Sequence, residues 1–239
     1  MTTRWLYLVR HGDASETAGL SPAGRRQAKL LAGRLSGIPF TSITHSPLQR
    51  AAETAAILTA PVEPGSVEPG SVQAGLVEPG SVQAGLVQAG LVQAGLVRAG
   101  SAEPAPAEPA PAESWDAAGD YIPFVPDPIP PAFTAFFDGY TPEGPESGWA
   151  EAALARFARP SPAETHDLII THAFLVAWFV RDALGAPPAR WLGIPVANCG
   201  LTVIRYTTGR PPALVQLNDL SHLPPDLHWT GFPPGIAPS

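Results

Sequence analysis

Trp5-Leu6-Tyr7-Leu8-Val9-Arg10-His11-Gly12 sets five apolar residues directly before a guanidinium, an imidazole and a glycine. A run this short, closed by a breaker, reads as a buried strand rather than a helix. Downstream, Ser21-Pro22-Ala23-Gly24 predicts a helix to about Ser36, with Ser21 as N-cap and Pro22 at the first helical position. Ser42–Thr44 reads as a second strand. Pro47 to Thr59 carries Leu48, Ala51, Ala52, Ala55 and Leu58 at helical spacing. The first sixty residues therefore follow the order βαβα.

The second half continues the alternation. Tyr121–Pro131 is Pro-rich and must be extended or turning. Glu151–Phe157 reads as a helix, Leu168–Thr171 as a buried strand and Ala173–Leu184 as an apolar helix. Gly200–Tyr206 and Ala213–Leu217 read as strands. Strands alternating with helices imply an α/β fold with a mostly parallel central sheet and helices on both faces.

Between the halves lies a tandem repeat with a period of five, VEPGS, VQAGL and their variants, filling residues 62–111. A Gly or Pro in every unit excludes helix interiors and regular strands. The expectation is a single domain over residues 1–239 carrying a disordered or PPII-like low-complexity insert. Loop closure costs about (3/2)RT ln n, so lengthening a connection from about 5 to about 50 residues costs only about 2 kcal/mol.

Composition narrows the function. The 239 residues include 30 Pro and 23 Gly, yet 45% are hydrophobic, enough for a packed core. Charged residues are 15%, below the roughly 25% of typical soluble chains, and the net charge is −7. An acidic chain disfavours nucleic acid and anionic membrane as partners. Cys199 is the single cysteine, which excludes an internal disulfide and a cysteine-cluster metal site. Met1 to Val9 does not form a secretory signal. The longest apolar stretch, Leu168 to Val180, falls short of the roughly 20 residues a bilayer span needs. These features lead to the expectation of a soluble cytoplasmic protein.

The chemistry lies at strand ends. Arg10-His11-Gly12 follows the first strand, and His172 directly follows Leu168-Ile169-Ile170-Thr171 and precedes a helix whose first amides favour anions. Arg50 lies in the first turn of the helix after Ser42–Thr44. Two guanidiniums and two imidazoles at one sheet edge make a pocket for a small dianion, and phosphate suits it best.

Four blocks carry a family resemblance: Leu8-Val9-Arg10-His11-Gly12; Leu20-Ser21-Pro22-Ala23-Gly24-Arg25-Arg26-Gln27-Ala28; Ser46-Pro47-Leu48-Gln49-Arg50-Ala51-Ala52-Glu53-Thr54-Ala55; and Ile170-Thr171-His172-Ala173. In this order they resemble the histidine phosphatase (phosphoglycerate-mutase-like) superfamily. The resemblance implies a phosphohistidine intermediate on His11, with Arg10, Arg50 and His172 holding the phosphoryl oxygens and no metal or cofactor. The residues alone do not say which histidine attacks. Where many members place a phosphate-touching Asn, this chain has Thr17.

The family takes the leaving-group proton from a carboxyl group beyond the second helix, usually a Glu. Here the candidates are Glu113, Asp116 and Asp120. The run from Asp120 to Pro128 is similar to the branch in which an acid precedes a Pro-rich loop, which points to Asp120, with Asp116 and Glu113 as alternatives. The function implied is hydrolysis of a small phosphomonoester or a phosphoprotein. The alternatives are a phosphoglycerate-type mutase, for which the Glu-Arg-x-Tyr-Gly-like block is missing, and a catalytically degenerate scaffold. Tyr121, Phe124, Phe133, Phe136 and Phe137 are candidates either for an apolar pocket wall or for the cover of the core.

Overall fold

A computed structural model describes residues 1–14, 19–60, 110–140 and 148–231. The repeat, apart from residues 110 and 111, and Thr17 lie outside the described residues. The elements are β1 (Thr3–Arg10), α1 (Pro22–Leu35), β2 (Ser42–His45), α2 (Gln49–Thr59), β3 (Ala112–Ser114), α3 (Thr134–Phe137), α4 (Trp149–Phe157), β4 (Thr165–Thr171), α5 (Ala173–Ala183), β5 (Leu201–Thr207) and β6 (Ala213–Asp219).

The six strands form one sheet in the order β3-β2-β4-β1-β5-β6. β3, β2, β4 and β1 are mutually parallel. β5 runs antiparallel to both β1 and β6. Alternation along each strand then assigns the two faces. Leu6 and Leu8 of β1, with Ile169 and Ile204, pack under α4 and α5 through Ala153, Phe157, Val176 and Phe179. Val9, Leu168 and Ile170 pack on the opposite face under α1 and α2 through Ala28, Leu31, Ala51 and Ala55. The sheet is thus covered on both sides, as parallel strands require.

Two local features depart from the sequence reading. β3 is three exposed residues with no apolar pattern to announce it, and its strand character comes from pairing with β2 in the register Ile43↔Ala112. α2 starts at Gln49, two residues later than expected, because the Ser46 hydroxyl accepts the Leu48 N–H at 3.2 Å and keeps Pro47 and Leu48 outside the helix. The Pro-rich segment from Tyr121 to Pro130 is extended or turning, as read, and leads into a short 3-10 stretch, Pro131–Phe133, and then α3. His45 and His166 belong to β2 and β4.

The start of α1 lies against the loop after β1. The Ser21 hydroxyl accepts the Gly24 N–H at 3.0 Å and donates to Asp13 at 2.5 Å. The amide of fully buried Gln27 completes the clamp: its oxygen accepts the Asp13 N–H at 2.8 Å, and its nitrogen donates to the Leu227 carbonyl at 2.8 Å. At Gly12 a Cβ would lie 2.7 Å from the Gly24 carbonyl oxygen, and at Gly24 a Cβ would overlap the Asp13 backbone. The approach exists only because both residues lack a side chain.

Gly24→Ala therefore lowers the stability measured by urea unfolding by about 1–3 kcal/mol, since backbone rather than a flexible side chain must give way. Gly33→Ala, at an exposed point of α1 with open space around it, has the opposite sign and gains about 0.5–1 kcal/mol.

Candidate active site

All four parallel strands point their carboxyl ends to the same edge, and the ladders run on past them. The His11 N–H donates to the Thr171 carbonyl at 2.9 Å, the Ser46 N–H to Ile170 at 3.0 Å and the Trp115 N–H to His45 at 2.9 Å. These bonds fix where each strand hands over to its loop. His11 and His172 come from neighbouring strands, and their ring centroids are 5.0 Å apart with planes tilted by 59°. The loop before β5 adds a second restraint, because Asn198 Nδ2 donates to the His11 carbonyl at 3.0 Å and the Cys199 N–H donates to Arg10 at 3.0 Å. Cys199 itself is fully buried.

The His11 ring is held in one tautomer. Nδ1 lies 2.7 Å from the Gly12 carbonyl, which can only accept, so Nδ1 carries the proton. Nε2 then presents its lone pair, and the Arg50 Nε–H donates to it at 3.0 Å. Burial pushes the His11 pKa down to about 3 against the Gly12 bond, with His172, Arg10 and Arg50 pushing the same way. His172 is likewise pushed down to about 3, first by burial and then by Arg50 and Arg10. Both imidazoles are neutral at physiological pH.

Arg50 spans the site. Besides His11, it places Nη2 2.7 Å from Asp120 Oδ2 and 3.4 Å from His172 Nδ1. Asp120 Oδ2 also lies 3.4 Å from His172 Nδ1. Arg10 anchors Nη1 on the Val196 carbonyl at 2.7 Å, and burial lowers its pKa. Arg10, His11, Arg50, Asp120 and His172, drawn from four separate stretches of chain, therefore meet at one sheet edge.

The other two carboxylates do not join them. Glu113 lies in exposed β3 and pairs with Arg156 at 3.2 Å. Asp116 is exposed at the start of the turn that leads to Gly119. The path of β3, a 3-10 turn at Asp116–Ala118 and the bend at Gly119 is what delivers Asp120 to Arg50.

Three supporting residues escaped the sequence reading as members of the site. Ser46 Oγ holds His172 Nε2 at 2.8 Å. Thr54 Oγ1 accepts the Gly12 N–H at 3.1 Å while donating to the Arg50 carbonyl at 2.7 Å. Asn198 Nδ2 donates to the His11 carbonyl. Ser46 and Thr54 sit inside a quoted block, but nothing local distinguishes their roles from capping. Asn198 reaches His11 across 187 positions. Among the described residues no group of three or more His, Cys, Asp or Glu is arranged to hold a metal ion.

Beside the cluster lies a cleft of about 500 Å³, whose walls include Arg10, Phe133, Phe136, Phe174, Trp191 and Val196. The five aromatic candidates divide between the two roles. Phe133 and Phe136 face this cleft. Tyr121 and Phe137 are buried in the core, and Phe124 stacks on Trp178.

Neutral buried imidazoles make stability pH-dependent. With folded values near 3 and an ordinary value near 6.5, the unfolded chain binds more protons between those limits. Stability therefore falls on acidification from pH 6.5 towards 3, by up to about 1.4 kcal/mol per pH unit for each imidazole. Urea unfolding from pH 6.5 to 4 checks this: His172→Asn flattens the slope relative to wild type, and equal slopes contradict it.

Comparison with known proteins agrees with this arrangement. The profile of the histidine phosphatase superfamily (branch 1) matches residues 6–118 and 149–220. The chain is 30% identical over 238 residues to the serine/threonine-protein phosphatase Pgam5, mitochondrial, of Caenorhabditis elegans, covering 94% of this chain and 66% of that protein. It is 28% identical over 237 residues to the human protein PGAM5 of the same description, covering 94% and 65%. The chain thus spans just under two thirds of the length of these curated relatives. In fold it resembles a putative alpha-ribazole-5'-P phosphatase from Escherichia coli (TM-score 0.56, 16% identity, 90% of this chain and 97% of that one). It also resembles a phosphoserine phosphatase from Entamoeba histolytica (TM-score 0.55, 16% identity, 92% and 99%).

The relatives overturn the cytoplasmic expectation, since they are described as mitochondrial. That expectation rested on what the first residues and the apolar stretches lack, and such an absence does not report the destination of a chain that spans only part of its relatives. The sheet order, the four sequence blocks and the profile match converge on one conclusion: the chain belongs to branch 1 of the histidine phosphatase superfamily.

Proposed function

We propose that the chain is a phosphatase that cleaves phosphomonoesters through a phosphohistidine on His11. The observation that carries this reading is the His11 tautomer: Nδ1–H is tied to the Gly12 carbonyl at 2.7 Å and Nε2 faces the Arg50 guanidinium at 3.0 Å. A neutral, oriented imidazole beside two cations is a nucleophile next to a dianion site.

In the first step His11 Nε2 attacks phosphorus in line, the bond from phosphorus to the ester oxygen breaks, and the leaving alkoxide takes a proton from the Asp120 carboxyl. Arg10, Arg50 and His172 hold the equatorial oxygens. Ser46 Oγ, 2.8 Å from His172 Nε2, fixes the orientation in which that ring meets the phosphoryl oxygens. In the second step water attacks the phosphohistidine, Asp120 takes the water proton, and phosphate leaves with His11 restored. Without substrate the Asp120 carboxylate occupies Arg50 at 2.7 Å. An incoming dianion replaces it there, which frees the carboxyl group to face the leaving oxygen.

The relatives are named serine/threonine-protein phosphatases, which favours a phosphorylated Ser or Thr side chain of a protein over a small phosphorylated metabolite. Mutase action would need groups that grip a second charged part of the substrate, and Arg10 is the one charged side chain among the described residues lining the cleft. The repeat at 62–111 enters between α2 and β3, which leaves one domain built from the residues on either side.

Steady-state hydrolysis of para-nitrophenyl phosphate without added metal tests the assignments. His11→Ala abolishes turnover. Asp120→Asn lowers kcat by about 10²–10⁴ for a phosphoserine peptide, the usual range for general acid–base catalysis. For para-nitrophenyl phosphate the loss is smaller, because nitrophenolate leaves without a proton. Equal losses on both substrates exclude Asp120 as the acid. Replacing residues 62–108 by a short Gly-Ser linker leaves kcat within about twofold, and loss of folding overturns the insert reading.

A further inference from the structure

The aromatic cleft is continuous with the phosphate-binding cluster through two sequence neighbours. Arg10, directly before His11, forms part of its wall, and Ala173 and Phe174, directly after His172, form another part. The Arg10 guanidinium is tied to the Val196 carbonyl, itself a lining residue. Away from Arg10 the wall is apolar. Phe136 meets Phe174 edge to face at 5.6 Å, and Phe174 meets Trp191 at 5.1 Å. Trp191 is fixed from behind by its indole N–H, which donates to the Phe124 carbonyl at 2.9 Å. Phe136 remains 43% exposed at the mouth.

A phosphorylated serine or threonine bound at Arg10 leaves this space empty. About 500 Å³ falls within the roughly 300–1,000 Å³ of pockets that enclose a ligand of several residues' bulk. Resting on the phosphatase reading above, we propose that the cleft is a specificity subsite. It takes an apolar or aromatic side chain adjacent to the phosphorylated residue of a protein substrate. Charge divides the footprint: the phosphate dianion pairs with the cations at one end, and the neighbouring side chain is desolvated against Phe136, Phe174 and Trp191 at the other. An acidic or small neighbour gains nothing there, since no described cation besides Arg10 lines the cleft.

The test uses phosphoserine peptides of equal length and charge that differ in one flanking residue, Phe against Gly. Binding is measured to the full chain carrying His11→Ala, so that no turnover interferes, and hydrolysis is followed with wild type. The Phe peptide binds about tenfold tighter than the Gly peptide, the gain expected from partial burial of one ring. Phe136→Ala, at a position 43% exposed, brings the ratio of the two affinities towards one. Equal affinities in the parent, or a ratio that Phe136→Ala leaves alone, overturn the subsite. Phenyl phosphate binding as tightly as the Phe peptide also overturns it, by placing the leaving group itself in the cleft. A Phe preference in binding with no hydrolysis of either peptide by wild type overturns the phosphatase reading instead and keeps the subsite.

Discussion

The 2.9 Å hydrogen bond from the His11 N–H to the Thr171 carbonyl is the contact on which the site depends. It carries the parallel β1–β4 ladder one step beyond the strands and locks the register in which Arg10 pairs with Thr171. A slip of one residue would reverse the faces of all side chains on β1. Leu6 and Leu8 would then trade layers with Tyr7 and Val9, and His11 would turn away from His172. Each layer is packed around the side chains it now holds, so the packing that stabilises the fold also aims the chemistry. Gly12 and Gly24 then let α1 close on the loop, and Asn198 ties the His11 carbonyl from the other side.

Within that frame the electrostatics are set by scarcity of water. Two guanidiniums and two imidazoles share a buried edge, and desolvation outweighs every other influence on both rings. A proton on either imidazole would add a third cation to a site that already holds two. The result is a pocket whose positive charge resides on arginines while both histidines stay neutral, the state that the proposed phosphoryl transfer needs. Asp120 is the one carboxylate among the described residues that pairs with Arg50, the residue that a phosphate would claim.

Much of this was legible from residues. Strand ends followed by Arg10-His11-Gly12 and His172 were readable because apolar runs and breakers are local. The Ser21-Pro22 helix start was readable because a cap and a fixed φ act within one turn. Asp120 was selected over Glu113 and Asp116 only through a resemblance, whereas its placement comes from β3, three exposed residues whose strand state depends wholly on pairing with β2. The start of α2 was misplaced because Leu48 keeps an extended backbone as the N-cap, its amide, which no helical carbonyl could accept, resting on the Ser46 hydroxyl. Asn198 and the aromatic wall formed by Phe174 and Trp191 were not legible as parts of a site, since each acquires its role from a partner far away in sequence.

The central claim is that His11 Nε2 becomes phosphorylated. Rapid acid-free quenching of the wild-type chain and of Asp120→Asn during turnover of para-nitrophenyl phosphate, followed by mass spectrometry of the peptide containing His11, tests it most directly. The account predicts a base-stable, acid-labile phosphoryl group on His11, accumulating in Asp120→Asn, where attack of water on the intermediate is slowed. Turnover with no such group on His11, or with the group on His172, contradicts the account.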